Sequence, residues 1–283
     1  MTTTATPPAP PTDNRRDLAD FVPQPATIGF ANLLRSEWTK LRSVRSTYWT
    51  AGLAVLASIA LSAIVCARTA YNINHGHQSL DGFDPTLTSL DGLYIAQVAI
   101  GVLGVLTISG EYGTGMIRAT LSAVPQRRAM LAAKGLVFAV VTLVIGEAMS
   151  FTAFGIGQAF LGHAHAGLSL SNSAALRATI GGGLYLTTVG LLGFGLGAAI
   201  RHTAGALSAF FGTLFALTAV TDLLPTSWRN DVINYLPANA GSQIISVIHT
   251  TGALSPWTGL GVLSLYAVAA VTAATVLITR RDA

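Results

Sequence analysis

Few residues of this chain have a type and spacing that could do chemistry. The most unusual is Glu147, which follows Gly135 by twelve residues inside a long apolar run. If that run crosses a bilayer, the carboxylate lies near the midplane, where a charge costs a few kcal/mol unless it is neutralised or paired. Two alternatives stay open: a role in proton coupling or along a polar route, or a protonated carboxyl hydrogen-bonded to a neighbouring helix.

The other reactive residue types do not form a recognisable site. The pairs His75-Gly-His77 and His163-Ala-His165 have mixed spacing and no helical frame, which indicates solvated loop histidines rather than a metal site. The hydrolase motifs His-Glu-x2-His and Gly-x-Ser-x-Gly are absent. The single cysteine, Cys66, excludes an intrachain disulfide. We therefore predict no catalytic residue, no metal site and no bound cofactor.

The composition indicates an integral membrane protein. Hydrophobic residues make up 51% of the chain, only 10% is charged, and the mean hydropathy is +0.57. Soluble domains carry roughly a quarter charged residues. Six apolar runs are each near the roughly 20 residues needed to cross about 30 Å of hydrocarbon. They cover residues 49–67, 92–110, 135–160, 178–200, 203–220 and 257–279. The predicted fold class is an all-α integral membrane protein with six transmembrane helices.

The residues before the first apolar run divide into two parts. Residues 1–27 are rich in Thr, Ala and Pro, which predicts a disordered cytoplasmic tail before a transmembrane domain at 28–283. Residues 28–47 have an amphipathic pattern, which predicts a helix in the membrane surface with Trp38 at the headgroups and Lys40 and Arg42 on anionic lipid. The alternative is a cytosolic extension of the first span.

The basic residues indicate the orientation of the six spans. Thirteen lysines and arginines fall on the side that carries both termini, whereas Arg68, Arg177 and Arg229 fall on the other. The positive-inside rule then predicts a multi-pass protein of the cell membrane with both termini in the cytoplasm. The net charge of +4 is modest and gives no reason to expect nucleic-acid binding.

The segment between the second and third runs, residues 109–128, has a helical pattern of its own. Met116, Ile117 and Leu121 recur at helical spacing, Arg118 falls on the opposite side, and Pro125 ends the pattern. This predicts a short amphipathic helix that docks on another protein. Glu111 before it is expected either to cap that helix or to lie at a solvated helix end.

Two further patterns concern packing. Gly193-x3-Gly197 in the fourth run has the spacing that lets helices approach closely, and we expect it to pack within the chain rather than at a dimer seam. The apolar piece 240–248 is too short to span a membrane and predicts an interfacial or re-entrant helix on the outer side.

Two motifs together carry a family resemblance. One is Ser-Glu-Trp-Thr-Lys-Leu-Arg-Ser at 36–43, and the other is Gly-Glu-Tyr-x-Thr-Gly-Met-Ile-Arg-Ala-Thr-Leu-Ser-Ala-Val-Pro-x-Arg at 110–127. With six spans between cytoplasmic termini, the chain from 28 to 281 resembles the bacterial permease subunits of type 2 ABC exporters.

The resemblance implies roles for both motifs. Residues 28–47 would be an elbow helix, and 111–128 a coupling helix that docks on a separate cytosolic ATPase. The residues expected to couple to this ATPase are Glu111, Tyr112, Thr114, Met116, Ile117, Arg118, Leu121, Pro125, Arg127 and Arg128.

The resemblance also implies partners. A second permease subunit, identical or similar, would pack along the first and fifth spans, where Gly52, Ala57, Gly205 and Gly212 are available. The chain lacks the nucleotide-binding motif Gly-x4-Gly-Lys-Ser/Thr, so ATP and Mg²⁺ would be bound by the ATPase. We therefore expect a transporter subunit rather than an enzyme. The alternatives are a membrane-embedded enzyme, or a non-transporting sensor or immunity protein on the same scaffold.

Overall fold

The computed structural model describes residues 29–43, 45–117, 126–221, 225, 232–248 and 252–280. Within these ranges every regular element is a helix. The predicted tail at 1–27 lies outside them, and so do Arg118, Leu121 and Pro125 of the expected coupling helix.

Ten α-helices lie wholly within the described ranges. In chain order they are α1 Phe30–Ser43, α2 Arg45–Asn74, α3 Pro85–Ser89, α4 Leu93–Gly113, α5 Arg127–Gly162, α6 Ser173–Ile200, α7 Thr203–Phe211, α8 Leu217–Thr221, α9 Pro237–Ser242 and α10 Pro256–Arg280. A π-helical turn, Gly212–Ala216, joins α7 to α8, so that these three pieces form one continuous span.

Six helical stretches are long and apolar enough to cross a membrane, which confirms the predicted number of spans. They are Trp49–Asn74, Leu93–Gly113, Arg127–Gly162, Ser173–Ile200, Thr203–Thr221 and Pro256–Arg280. The first, third and fourth are longer than predicted, because hydropathy marks only the apolar part of a helix that continues into polar residues. The chain is a multi-pass membrane protein.

The helix α6 lies at the centre of the bundle and packs against α4, α5 and α10. Its glycines allow this contact. A Cβ on Gly193 would lie 2.3 Å from the carbonyl oxygen of Gly101 in α4, and a Cβ on Gly104 would lie 2.3 Å from that of Gly190. The prediction that Gly193 and Gly197 pack within the chain is confirmed.

The spans differ strongly in how far they are covered. In α6, 61% of the most apolar stretch is buried, whereas the share is 17% both for α2 and for the span Thr203–Thr221. These two outer spans therefore present most of their apolar surface to lipid or to another chain.

At the end of the bundle that carries α3 and α9, the carboxylate of Asp84 binds two separate segments of the chain. Asp84 caps α3 through Oδ1, which accepts from the backbone N–H groups of Thr86 and Leu87 at 3.0 and 2.9 Å. Its Oδ2 accepts from the N–H groups of Val247 and Ile248 at 2.6 and 3.0 Å. The loop after α9 is thereby joined to α3.

The predicted single helix at 240–248 is wrong in its bounds. The chain forms α9 three residues earlier, with Pro237 in its first turn, and continues as a short 3₁₀ helix, Gln243–Ile245. Proline at a helix start is favoured because its missing N–H has no intrahelical partner there. The buried Ile244 packs against Gly181 of α6.

The helix α1 has one face toward the bundle and one face away from it. Trp38 and Phe30 are 52% and 44% exposed, while Leu33 and Glu37 are buried. The physical reason is that Glu37 pairs with Lys40 and Lys134 where α1 meets the bundle.

Candidate functional site

A cluster of four charged side chains lies where α1, the end of α4 and the start of α5 meet. We call this place the basic end of the bundle, since α6 and α10 also finish there at Arg201 and Arg280. The ion cluster consists of Glu37 and Lys40 from α1, Glu111 from α4 and Lys134 from α5. Lys40 and Lys134 are the only lysines in the sequence.

Lys134 is the centre of the ion cluster. Its Nζ donates to Glu37 Oε2 at 2.5 Å and to Glu111 Oε1 at 2.8 Å. Lys40 Nζ donates to Glu37 Oε1 at 2.7 Å and lies 3.5 Å from Glu111 Oε1. Two cations thus balance two carboxylates across three helices.

Because these side chains are buried, their contacts matter for the stability of the protein. The exposed fraction is 4% for Glu37, 7% for Glu111 and 4% for Lys134. Charges removed from water are costly unless they are paired, so each member depends on its partners. Lys40 is less buried. Desolvation lowers the pKa of its ammonium, but the hydrogen bond and charge of Glu37, with help from Glu111, outweigh this and raise the pKa overall.

The position of Glu111 corrects the expectation that it lies at a solvated helix end. It is buried and points inward from the last turn of α4 to Lys134, while most of the helix that it was expected to cap lies outside the described residues. The helix α4 ends two residues later. Gly115 adopts a positive φ of 72°, the conformation that glycine commonly supplies just beyond a helix end.

Apolar contacts reinforce the ion cluster. Ile117 is 6% exposed and belongs to a small apolar cluster that joins the start of the expected coupling helix to α1, α5 and α10. Its other buried members are Leu33, Met130, Ala133 and Ile278. Ile117 therefore packs into the bundle, whereas the side chain of Met116 is 52% exposed.

Other expected coupling residues have structural contacts instead of free side chains. Arg127 donates from Nη1 to the carbonyl oxygen of Ile278 at 3.4 Å. The guanidinium of Arg201 lies over the ring of Tyr112, 5.2 Å from its centroid, and also donates to Leu277 at the end of α10. These contacts join α4, α5 and α6 to α10.

Three of the expected coupling residues are exposed within the described ranges. Thr114, Met116 and Arg128 lie at the surface, and the hydroxyl of Thr114 donates to the carbonyl oxygen of Gly110 at 3.0 Å. These residues flank 118–125, the stretch outside the description. They form the part of the site that a partner could reach.

Glu147 lies apart from the ion cluster, in the middle of α5. Its carboxyl group packs against Gly183 of α6, where an added Cβ would lie 2.5 Å from Cδ. Its Oε2 is buried and has no hydrogen-bond partner among the described residues. The alternative of a carboxyl group hydrogen-bonded to a neighbouring helix is therefore not supported at this oxygen.

A polar pocket opens between α4, the π-helical turn and α9. Gln97 accepts a hydrogen bond from the hydroxyl of the fully buried Tyr185, and Thr218 and Asn239 lie in the same lining. This pocket was not predicted from the sequence. A glutamine inside an apolar run was the signal that could have found it, since a buried amide needs a partner.

Glu37 and Lys134 were also missed as site residues. Each lies beside an apolar run in a position where a charge is ordinary, so spacing alone does not link them. A scan against protein-family models finds no match to this chain, and a search of curated proteins finds none either.

Proposed function

We propose that this chain is the permease subunit of an ATP-driven exporter, with the basic end in the cytoplasm of a bacterial cell. The residues at 36–43 and 110–127 carry the resemblance on which the proposal rests. In this proposal α1 is the elbow helix, and the segment after α4 is the coupling helix that docks on a separate ATPase. The ATPase binds ATP and Mg²⁺.

One observation carries the proposal beyond the resemblance. The residues that lead into the coupling segment are joined to α1 and α5 by the buried ion cluster, and to α10 by Ile117. Because cores are close-packed, a force applied to this segment is passed on to those helices rather than absorbed locally. Closure of an ATPase pair would thus move several spans together.

The exposed surfaces of α2 and of the span Thr203–Thr221 support the proposal of a second permease subunit. Gly52 and Gly212 have no atom within 4 Å of where a Cβ would lie, and Ala57 is exposed. Gly205 instead faces Ile200 of its own chain. In the proposal, α2 and Thr203–Thr221 pack against a second copy or a similar chain and line the export path. The same span supplies part of the lining of the polar pocket beside Gln97, through Leu214, Phe215 and Thr218.

The proposal is tested by purifying the tagged chain from membranes of the cell that encodes it and identifying any ATPase recovered with it. We expect the two proteins to purify together from detergent-solubilised membranes, with ATPase activity retained in the complex. Arg128→Glu places a negative charge on the exposed surface next to the coupling segment, and we expect it to reduce recovery of the ATPase at least fivefold.

Arg68→Glu is the matched control, because Arg68 is also an exposed arginine but lies near the other end of α2. It should leave recovery of the ATPase unchanged. A chain that is stably produced and transports its substrate with no ATPase bound would overturn the proposal. Equal losses with both variants would show a general effect of charge rather than docking.

A further inference from the structure

An apolar groove lies between α1, α2, α4 and α5. Trp38 and Leu41 of α1 form one end, Ala54 of α2 lies along one side, and the residues from Ala96 to Thr107 of α4 line its length. The helix α5 contributes the stretch from Phe138 to Met149. The groove is separate from the ion cluster and from the polar pocket beside Gln97.

The wall of the groove is suited to hydrocarbon. Its two hydroxyl groups are satisfied within their own helices: Thr107 donates to the carbonyl oxygen of Leu103 at 2.7 Å, and Thr142 donates to that of Phe138 at 2.9 Å. A ligand in the groove thus finds no free hydroxyl proton in this wall, so an apolar chain fits and a polar molecule would lose its hydrogen bonds to water.

The groove is long enough for an acyl chain. Ala96 and Thr107 are eleven residues apart, which corresponds to about 16 Å along an α-helix. One leaflet contributes about half of the roughly 30 Å hydrocarbon core, so the groove is at least as long as one leaflet is thick. It begins beside α1, at the basic end, and it reaches Ala96, the fourth residue of α4, so it extends past the midplane.

The charge at the mouth of the groove indicates the headgroup. Arg35 and Arg42 are exposed, and they lie three residues before and four residues after Trp38. Residues at these spacings share one face of a helix, so both guanidinium groups lie on the side of α1 that carries the tryptophan. Arginine suits phosphate because its planar group can donate two parallel hydrogen bonds.

We infer that this groove binds one acyl chain of an anionic phospholipid from the leaflet that contains α1, with the lipid phosphate at Arg35 and Arg42. The bound lipid fills the space between α1 and the spans. The inference does not depend on an ATPase partner, because the groove is complete within one chain.

Trp38 provides a direct readout of this lipid. Trp49, Trp228 and Trp257 are replaced by phenylalanine, and the full chain is reconstituted in phosphatidylcholine vesicles. Brominated phosphatidylglycerol or brominated phosphatidylcholine is then added at equal mole fraction, since bromine on the acyl chain quenches a nearby tryptophan. We expect Trp38 to select phosphatidylglycerol at least about fivefold, the effect of one arginine near a membrane surface.

Two variants distinguish binding of the lipid's acyl chain in the groove from binding of its headgroup at the arginines. Arg42→Gln should reduce the selectivity for phosphatidylglycerol about fivefold. Ala54→Phe fills the groove and should lower the selective quenching by brominated phosphatidylglycerol. Ala269→Phe adds the same ring on an exposed face of α10 and should change neither result. Circular dichroism and size-exclusion chromatography establish that each variant is folded.

Each contrary outcome overturns the inference. Equal quenching by both lipids would mean that Trp38 meets only bulk lipid. Unchanged selectivity in Ala54→Phe would mean that the anionic lipid lies on the surface of α1 and not in the groove. Competition of the quencher by a transported apolar substrate, with no preference between the two lipids, would assign the groove to that substrate instead.

Discussion

At the scale of single residues, the ion cluster has one member that the others cannot replace. Lys134 contacts both buried carboxylates, whereas Lys40 is the more exposed cation, with 37% of its side chain accessible. Breaking a buried pair costs more than forming it contributes, because the remaining charge stays out of water. The two lysines should therefore differ sharply when replaced.

We predict that Lys134→Met destabilises the protein by about 3–5 kcal/mol, since it leaves Glu37 and Glu111 without their shared buried cation. The free energy of unfolding is measured in detergent, and the midpoint temperature of thermal unfolding is a second measurement. Lys40→Met is the matched control and should cost no more than about 1 kcal/mol, as expected for a partly solvated pair. Equal stability of Lys134→Met and the unaltered chain would show that the ion cluster is not structurally required.

At the scale of helices, close approach of two backbones decides how α4 and α6 pack. The carbonyl oxygen of Gly101 lies where a side chain on Gly193 would begin. Glycine is otherwise unfavourable inside a helix by roughly 0.5–1 kcal/mol relative to alanine. Its presence here is explained by the contact and not by helix propensity.

We predict that Gly193→Ala separates α4 from α6 and destabilises the protein by about 1–3 kcal/mol, the usual cost of overpacking. The control is Gly155→Ala in α5, where nothing lies within 4 Å of the added Cβ. That variant should be neutral or slightly stabilising because alanine is the better helix former. Unfolding in a denaturing detergent measures both, and equal stability would argue against the close contact.

At the scale of the whole molecule, the uneven burial of the spans calls for an explanation. The helix α2 and the span Thr203–Thr221 carry small residues on surfaces that the chain itself leaves open. Small residues let membrane helices pack tightly, because association there is driven by close contact rather than by loss of water. These surfaces are where we propose that the second subunit lies.

We predict that Gly212→Trp lowers the dimer fraction at least fivefold, because the indole occupies space between the two copies. Light scattering coupled to size-exclusion chromatography in mild detergent measures the mass. Ala269→Trp places the same side chain on an exposed face of α10 and should leave the dimer intact. A chain that is monomeric at every concentration would rule out the proposed homodimer.

The sequence alone determined the six spans and the class of fold, because crossing hydrocarbon needs about 20 apolar residues and that requirement is local. It also predicted the close packing of Gly193 and Gly197, which the structure confirms. It did not determine the extent of Arg127–Gly162 or the break between α9 and Gln243–Ile245, since helix ends depend on caps and neighbours as well as on hydropathy.

Only the tertiary structure decided how the charged residues are used. Glu37, Glu111 and Lys134 are far apart in the chain, and each has an ordinary position beside an apolar run. These three side chains pair only in the folded bundle, where α1, α4 and α5 meet and exclude water from them. An ion pair is a property of distance and burial, which spacing along a sequence does not encode for residues on different helices.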